Sequence, residues 1–481
     1  MSHRDVPVTG KRPPHVPGGA RPVPPPPPPL PLRHRPHLLP SPPPPFHHPL
    51  RLLRLLRHPF HRLPPPPLRL PPPSLSSAPT AFSDDPAMYF EYARLNSPNL
   101  HQTLSELLSA SQPSQKPRAL VVDFFYGSGA EVAAALRLPA YYYFPSGANP
   151  LAAFLYLPTL HKITNTSFKD LDGDVDIPGV PPIPAKHMPT RMLDRSSRIY
   201  GHFLETSMRL AESAGLISNT FEALELRAVK AISEGLCVPD GRTPPVYCIG
   251  PLVAVDDHIS KRDCLSWLDS QPNRSVLFMT FGSMGVFSSK QLREIAQALE
   301  GSGLRFLWVV RNPPPDDEIW RNLTIKPEDD PGMDAILPSG FTERTKDRGL
   351  VVKSWAPQVA VLSHDSVGGF VSHCGWNSVM EAVCAGVPMI VWPLYAEHKL
   401  IRSYLAGEMK LVLSVAESEG GFVTTEELAG RIAELMCLEE GRKVRERVAE
   451  MRNAAREALS EGGSSRVAMA KLVDSFKSGM T

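Results

Sequence analysis

The sequence predicts an α/β protein of two doubly wound, Rossmann-like domains that face each other across a cleft. Three observations lead there. From about residue 81 onward, short β-branched runs alternate with helical stretches. That rhythm restarts after a proline-containing passage at 243–257. Strands interleaved with helices make βαβ units on parallel sheets. A chain of 481 residues is also long enough for two or more domains.

In order, "ALVVDFF" (119–125) is an apolar run of strand length, "GSGAEVAAALRL" (127–138) a helix and "AYYYF" (140–144) a second strand. "SAGLISNTFEALELRAVKAI" (213–232) reads as strand, turn and helix. "TPPVYCIGPLVAVDD" (243–257) is an extended passage suited to a linker. "SVLFMTFGSM" (275–284) is a strand running into a Gly/Ser turn. "SSKQLREIAQALEGSG" (288–303) has a serine start signal, helical apolar spacing and a glycine stop. "LRFLWVV" (304–310), "GLVVKSW" (349–355), "VGGFVSH" (367–373) and "PMIVWP" (388–393) are further strands. "APQVAVLSH" (356–364) is a short helix with Pro357 in its first turn, where proline is tolerated. Residues 424–459 are helical throughout, and "SSRVAMAKLVDSF" (464–476) is a last amphipathic helix. No repeat of 20–50 residues is present.

The first eighty residues differ. They hold 28 of the 55 prolines and eight of the 16 histidines. Eleven Lys and Arg there face one acid, Asp5, so the rest of the chain sums to −8 within a total of +2. Proline denies the backbone its amide donor, so disorder with local polyproline II is the default expectation for residues 1–80. Competing readings are a basic arm for nucleic acid or anionic membrane, a ligand for aromatic-groove modules, an amphipathic turn in "LRLLRLLRHPF" (50–60), and an organelle transit peptide. A further reading is that part of this segment is a GC-rich coding region translated out of frame. No apolar run of 18 residues exists, which predicts no transmembrane helix. The six cysteines make no CxxC or Cys/His metal spacing, and are read as reduced thiols.

In open α/β sheets ligands sit at the carboxyl ends of the strands. The second domain places "GSMG", "APQ" and "CGWNS" there. A helix starting near Asn377 leaves amide groups free with positive dipole charge behind them. Asn377 and Ser378 suit its cap, Gly375 permits close approach and His373 adds a donor. With Ser283 they outline an anion pocket, most naturally for a phosphate. No GxxxxGK[ST] occurs, which disfavours a P-loop hydrolase. Glu381 is placed to accept from ribose hydroxyls, Trp355 offers a flat face for a base, and Gln358 an amide for base or ribose. Glu397 and His398 suit sugar hydroxyls. Together they describe a nucleotide-sugar site. The plainer alternatives are a common capped helix, a structural histidine and a core tryptophan.

"WAPQVAVLSHDSVGGFVSHCGWNSVMEAVCAGVPMIVWPLYAEH", Trp355 to His398, resembles the donor-binding box of plant family-1 UDP-dependent glycosyltransferases of the flavonoid/phenolic type. The likeness extends through 192–232 and "TPPVYCIGPL" and covers about residue 81 to the C-terminus. It implies a GT-B fold, with an N-terminal strand–helix unit missing from this chain. It implies that Trp355 stacks on uracil, Ala356 contacts the base through backbone, and Gln358 and Glu381 hold ribose. His373, Asn377, Ser378 and Ser283 hold the diphosphate, Gly375 and Trp376 belong to the same UDP-sugar site, and Glu397 and His398 face the sugar. The implied chemistry is inverting hexose transfer, most simply of glucose, to a phenolic hydroxyl. A histidine takes the proton and an aspartate, matched by Asp123, orients it. The plainer alternative for Asp123 is a solvent-facing acid at a strand end.

Three departures from the family pattern stand out. No strand in residues 1–80 carries the base histidine, His15 being the one candidate. His398 replaces the usual Gln, which in some members accompanies galactosyl transfer. Ile401 replaces Asn, which would loosen packing near the sugar. A catalytically impaired UDP-sugar-binding relative is therefore the alternative function. An α/β body carried by a partner-recruiting arm, and a chain that fails to fold, are the remaining readings.

The expected organisation is 1–80 low-complexity, 81–245 an acceptor-binding domain, 246–256 a linker, 257–460 a UDP-sugar-binding domain, and 461–481 a helix returning to the first domain. "YYYFPSGANPL" (141–151) and "HMPTRMLD" (187–194) are expected to border the acceptor. The partners expected are a UDP-sugar co-substrate and a small phenolic acceptor. No metal, other cofactor, nucleic acid or stable membrane insertion is expected, and the protein is read as a cytoplasmic monomer.

Overall fold

Apolar strands in this chain are long enough to be covered on both faces, and the folding follows from that. The computed structural model describes residues 87–109, 116–253, 263–319, 332–418 and 420–478. The Pro/Arg-rich segment 1–80, with His15, lies outside the described residues.

The first strands are β1 (Leu120–Asp123), β2 (Ala140–Phe144), the short antiparallel pair β3 (Asp174–Val175) and β4 (Ile183–Pro184), then β5 (Gly215–Ser218) and β6 (Val246–Cys248). β1, β2, β5 and β6 form one parallel sheet in that spatial order. Successive side chains on a strand point to opposite faces. In β2 this sends Tyr142 and Phe144 into the larger core, under the helices of that face, and Tyr141 and Tyr143 to the other face. The last helix, Ser464–Ser478, covers that second face. Leu472 is fully buried there, Phe476 meets Tyr141 edge-on at 4.8 Å, and the Tyr141 hydroxyl donates to Ser475 Oγ at 2.9 Å.

The second sheet contains β7 (Val276–Thr280), β8 (Arg305–Val310), β9 (Gly349–Lys353), β10 (Val367–Ser372), β11 (Met389–Val391) and β12 (Val412–Ser414). Its order is β12-β11-β10-β7-β8-β9, all parallel. Every residue of β7, β10 and β11 is buried, as expected of strands covered on both faces. Winding runs outward from β7 through β8 and β9, then returns to β10 on β7's other side. The crevice between the ends of β7 and β10 is therefore the topological switch point, where such sheets bind ligands. Among the described residues the first sheet winds in one direction only, outward from β1.

Three expectations are corrected. The passage taken as a linker from residue 246 opens as β6, because Val246–Cys248 pair with β5 and complete the first sheet. The helical run 424–459 breaks at Leu438 into helices Thr425–Cys437 and Glu439–Leu459. Gly441 explains the tight reversal, since a Cβ there would lie 2.1 Å from the Leu435 carbonyl oxygen. Ile401 loosens nothing, being fully buried in the core.

The two halves meet at a dense polar joint. The Trp376 indole donates to the Asn219 carbonyl at 2.6 Å, and Asn219 Oδ1 accepts the Leu252 amide at 2.7 Å. Beside it, buried Glu225 accepts from the amides of Ala148 (2.7 Å) and Asn149 (2.9 Å), from Asn149 Nδ2 (2.8 Å) and from Thr220 Oγ1 (2.5 Å). Its carboxylate thus satisfies the first amides of helix Ala148–Ile163, where a negative charge is favoured. Gly147 is obligatory there, because a Cβ would stand 2.5 Å from Glu225 and 2.7 Å from Trp376.

Glu225→Ala strands four buried donors at once. It is expected to lower unfolding stability by roughly 3 kcal/mol, and Glu225→Gln by less. Denaturant unfolding measures this, and a change of under about 0.5 kcal/mol for the Ala variant would contradict the role given to the carboxylate.

Candidate active site

At the end of β10 the chain turns through Cys374, whose φ of +66° lies in the left-handed region. Helix Trp376–Ala385 then begins, with Gly375 as its N-cap and no side-chain cap. This corrects the expectation that Asn377 and Ser378 cap a helix starting near Asn377. The glycine permits the earlier start because the His373 ring packs directly against it. A Cβ on Gly375 would lie 2.4 Å from that ring, and one on Gly282, in the turn after β7, 2.7 Å from it. His373 is thereby pinched between two glycines at the switch point. Its burial pushes the imidazole down to about 4, so it is neutral at ordinary pH.

Asn377 and Ser378 occupy the first helical turn. Asn377 Oδ1 lies 3.5 Å from Asn219 Nδ2. The Gln358 side-chain amide donates to Ser378 Oγ at 3.0 Å and to Glu381 Oε2 at 2.7 Å. The structure thus brings Gln358, Ser378 and Glu381 into one bonded cluster. Gln358 opens helix Gln358–Leu362, after Pro357. Just before it, Ala356 is buried, while the Trp355 side chain is 51% exposed. A large aromatic exposed beside a polar cluster is unlike a core tryptophan. Ser283 is exposed in the turn that contains Gly282.

After β11 the chain presents Tyr395, Glu397 and His398. The His398 ring meets His373 at 4.9 Å and Tyr395 at 4.6 Å, and His398 Nδ1 accepts the Tyr395 amide at 3.4 Å. Burial holds His398 well below its ordinary value, with His373 adding to the effect. Burial raises the Glu397 carboxyl, against the pull of its own amide and of Ser146. Tyr395 was not singled out from sequence, although an aromatic just past a strand end is the signal. Its hydroxyl accepts the Met284 amide, which ties the turn after β7 to the loop after β11, and burial pushes it up to about 12. Asn219 was also missed, having only its place after β5 to mark it.

Asp123 stands apart from this group, at the end of β1 in the other sheet. Its carboxylate accepts the Phe125 amide at 3.0 Å, and burial raises it to about 6, unlike a solvent-facing acid. No histidine hydrogen-bonds to Asp123 among the described residues. Also among them, no group of three or more His, Cys, Asp or Glu is placed to hold a metal, and no helix is long and apolar enough to cross a membrane.

The buried imidazoles give stability a pH dependence. His373 and His187 titrate near 6.5 when unfolded but near 4 when folded. Their contribution is complete above about 6.5 and is lost as the pH falls towards 4. Asp123 acts in the opposite sense, costing stability as the pH rises from 3.8 to about 6. Three depressed imidazoles, His398 included, outweigh the two raised carboxyls, Asp123 and Glu397. The thermal midpoint is therefore expected to fall between pH 7 and pH 5, and to fall less in His398→Gln. An equal fall in the variant would contradict a buried neutral His398.

Known proteins share this architecture. A sequence model of the family described as "UDP-glucoronosyl and UDP-glucosyl transferase" matches residues 238–406. An anthocyanidin 5,3-O-glucosyltransferase from a Rosa hybrid cultivar is 50% identical over 393 residues, covering 81% of this chain and 79% of that protein. A phloretin 2'-O-glucosyltransferase from Pyrus communis is 48% identical over 405 residues, covering 81% and 82%. Among solved structures, a Polygonum tinctorium UDP-glucosyltransferase capable of glucosylating indoxyl superposes with a TM-score of 0.76 at 37% identity, covering 85% of this chain and 86% of that one. Phytolacca americana UGT2, complexed with UDP-2fluoro-glucose and pterostilbene, gives 0.71 at 37% identity, covering 80% and 82%. With relatives this similar over four-fifths of its length, a GT-B arrangement of two parallel sheets, and a polar cluster at the switch point of the second, the chain belongs to the plant UDP-glycosyltransferase family.

Proposed function

We propose that the chain transfers a hexose, glucose in the first instance, from a UDP-sugar to a hydroxyl of a small phenolic acceptor, with inversion at the anomeric carbon. The observation that carries this reading is the uncapped start of helix Trp376–Ala385 at the switch point, flanked by the Gln358–Ser378–Glu381 cluster. The amides of a helix start with no side-chain cap, and the helix dipole behind them, favour a diphosphate there. Ser283, His373, Asn377 and Ser378 would complete its shell. Glu381 and Gln358 would take the ribose, and the exposed Trp355 face, with the Ala356 backbone, the uracil. Glu397 and His398 would face the hexose. The acceptor hydroxyl would give its proton to a general base as its oxygen attacks the anomeric carbon, while the bond to the diphosphate oxygen breaks and that electron pair leaves with UDP. Amides at the helix start would stabilise that growing charge.

A phenolic acceptor is supported by the rose and pear relatives, named for anthocyanidin and phloretin, and by pterostilbene in the Phytolacca complex. Residues 81–245 would bind it and residues 257–460 the donor. Asp123, close to the aromatic cluster of Phe124, Phe144, Phe154 and Phe203, would orient the general base. The absence of a histidine bonded to Asp123 among the described residues favours a second reading, a UDP-sugar-binding relative impaired in proton removal. Six free thiols suit a reducing compartment such as the cytoplasm.

Titrating UDP-glucose and assaying UDP release with a flavonoid separate the two readings. Binding with release supports the transferase, and binding without release the impaired relative. The combined change His373→Ala and Ser378→Ala is expected to weaken UDP binding about 100-fold, since it removes polar groups facing a charged ligand. Trp355→Ala should weaken it about tenfold with no loss of thermal stability, because the ring is exposed. Unaltered UDP affinity in the double variant would overturn the donor assignment.

A further inference from the structure

The loop that presents Glu397 and His398 is held by its own half at the Tyr395 hydroxyl and at the His398 ring, packed on His373 and Tyr395, yet it keeps a strained residue. Ala396 sits at a φ of +52°, a conformation that costs a non-glycine residue about 1 kcal/mol or more. The loop borders a cavity of about 830 Å³ lined by Met284, Tyr395, Lys399, Arg402 and Glu417 among others. Packing alone does not hold it on that side.

A second set of contacts comes from the other half of the molecule. The Thr190 amide donates to the Ala396 carbonyl at 2.9 Å, and Thr190 Oγ1 donates to the same oxygen at 3.2 Å. Three residues earlier, His187 Nδ1 lies 3.0 Å from Ser403 Oγ, on the helix that starts at His398. Ser403 Oγ already donates its proton to the Lys399 carbonyl at 2.9 Å, so it must accept from His187. His187 therefore carries its proton on Nδ1. Its Nε2 is left as an acceptor, and Arg402 Nη2 stands 3.2 Å away to fill it. Arg402 is fixed in turn by Glu417 at 2.7 Å, a pair largely shielded from solvent. Burial and the Arg402 charge keep the imidazole neutral, as this arrangement requires.

We propose that His187, with Thr190, is a positioning clasp that sets the Glu397–His398 loop in register for the hexose of the donor. The proposal rests on the reading that this loop faces the sugar. The clasp assigns His187 no contact with the hexose, although its side chain also borders that cavity. His187 acts through Ser403 and Arg402 on the first turns of the helix that begins at His398. Because the clasp spans both halves, sugar recognition depends on a residue outside the donor-binding sheet.

Titrating the full chain with UDP-glucose and, separately, with UDP tests this without relying on turnover. Misplacing a binding group by a fraction of an ångström costs affinity steeply, so His187→Ala is expected to weaken UDP-glucose about tenfold. Affinity for UDP, which lacks the sugar, should stay within about twofold of wild type if the donor sheet is undisturbed. His187→Gln offers one donor and one acceptor and should restore UDP-glucose binding, which a merely space-filling role does not predict. Ser403→Ala should act in the direction of His187→Ala. Equal loss of both ligands, or of neither, in His187→Ala overturns the clasp. Glu397→Ala is the separate check on the sugar assignment. If it leaves the preference for UDP-glucose over UDP intact, Glu397 does not face the sugar, whatever the His187 variants show.

Discussion

The hydrogen bond from the Trp376 indole to the Asn219 carbonyl is the constraint on which the cleft depends. Trp376 is the first residue of the helix whose start we assign to the diphosphate, and Asn219 follows the third strand of the first sheet. One contact thus ties the anion-facing amides of one half to a strand end of the other. Asn219 extends the tie by accepting the Leu252 amide, in the passage that joins the halves. A buried polar joint of this kind is costly unless every partner is present. Here they are supplied by Asn219, Glu225 and the start of helix Ala148–Ile163, and the room for them by Gly147.

The same economy of space governs His373. Glycines on either side let the strand ends close on its ring, and their closeness excludes water from it. Exclusion of water keeps the imidazole neutral, with His398 and Tyr395 completing its surroundings. A neutral ring carries one N–H and one lone pair, so its direction matters more than its charge. Ser372 Oγ, 3.4 Å from Nδ1, is the polar neighbour on that side. Positive character at the switch point therefore comes from backbone dipoles rather than from a cationic side chain, in keeping with a sequence cluster that has no Lys or Arg.

What was legible in the sequence is what local pattern and burial decide. The strands of the second sheet read clearly because full burial makes them continuous apolar runs. Helix Ser289–Ser302 read clearly because Ser288 accepts the Gln291 amide at its start and Gly303 turns left-handed at its end. Tertiary contacts decided the rest. The helix start at Trp376 depends on a ring packed against Gly375 from outside the helix. The break at Leu438 depends on Gly441 reaching the preceding helix, although Leu438, Glu439 and Glu440 favour helix. β6 resembled a linker because Pro244 and Pro245 precede it, and only its pairing with β5 makes it a strand. Tyr395 and Asn219 were missed because a hydroxyl that ties two loops, or a side chain that bridges two halves, leaves no periodic trace.

Gln358, Ser378 and Glu381 are bonded to one another. The Gln358 amide is shared between Ser378 and Glu381, and Glu381 is almost wholly buried. A ribose placed as proposed would either share the Glu381 carboxylate with Gln358, which occupies Oε2, or send Gln358 to a new partner, the ribose or a base carbonyl being nearest in kind. Such an exchange gains little net energy per bond, because a protein bond is traded for a ligand bond. It gains selectivity instead. A ligand lacking the hydroxyls would gain nothing from the cluster, whose internal bonds would stay in place. Affinity would then have to come from elsewhere, under the proposed assignment from the helix amides acting on the diphosphate and from the exposed Trp355 face. The polar cluster checks what those two features attract.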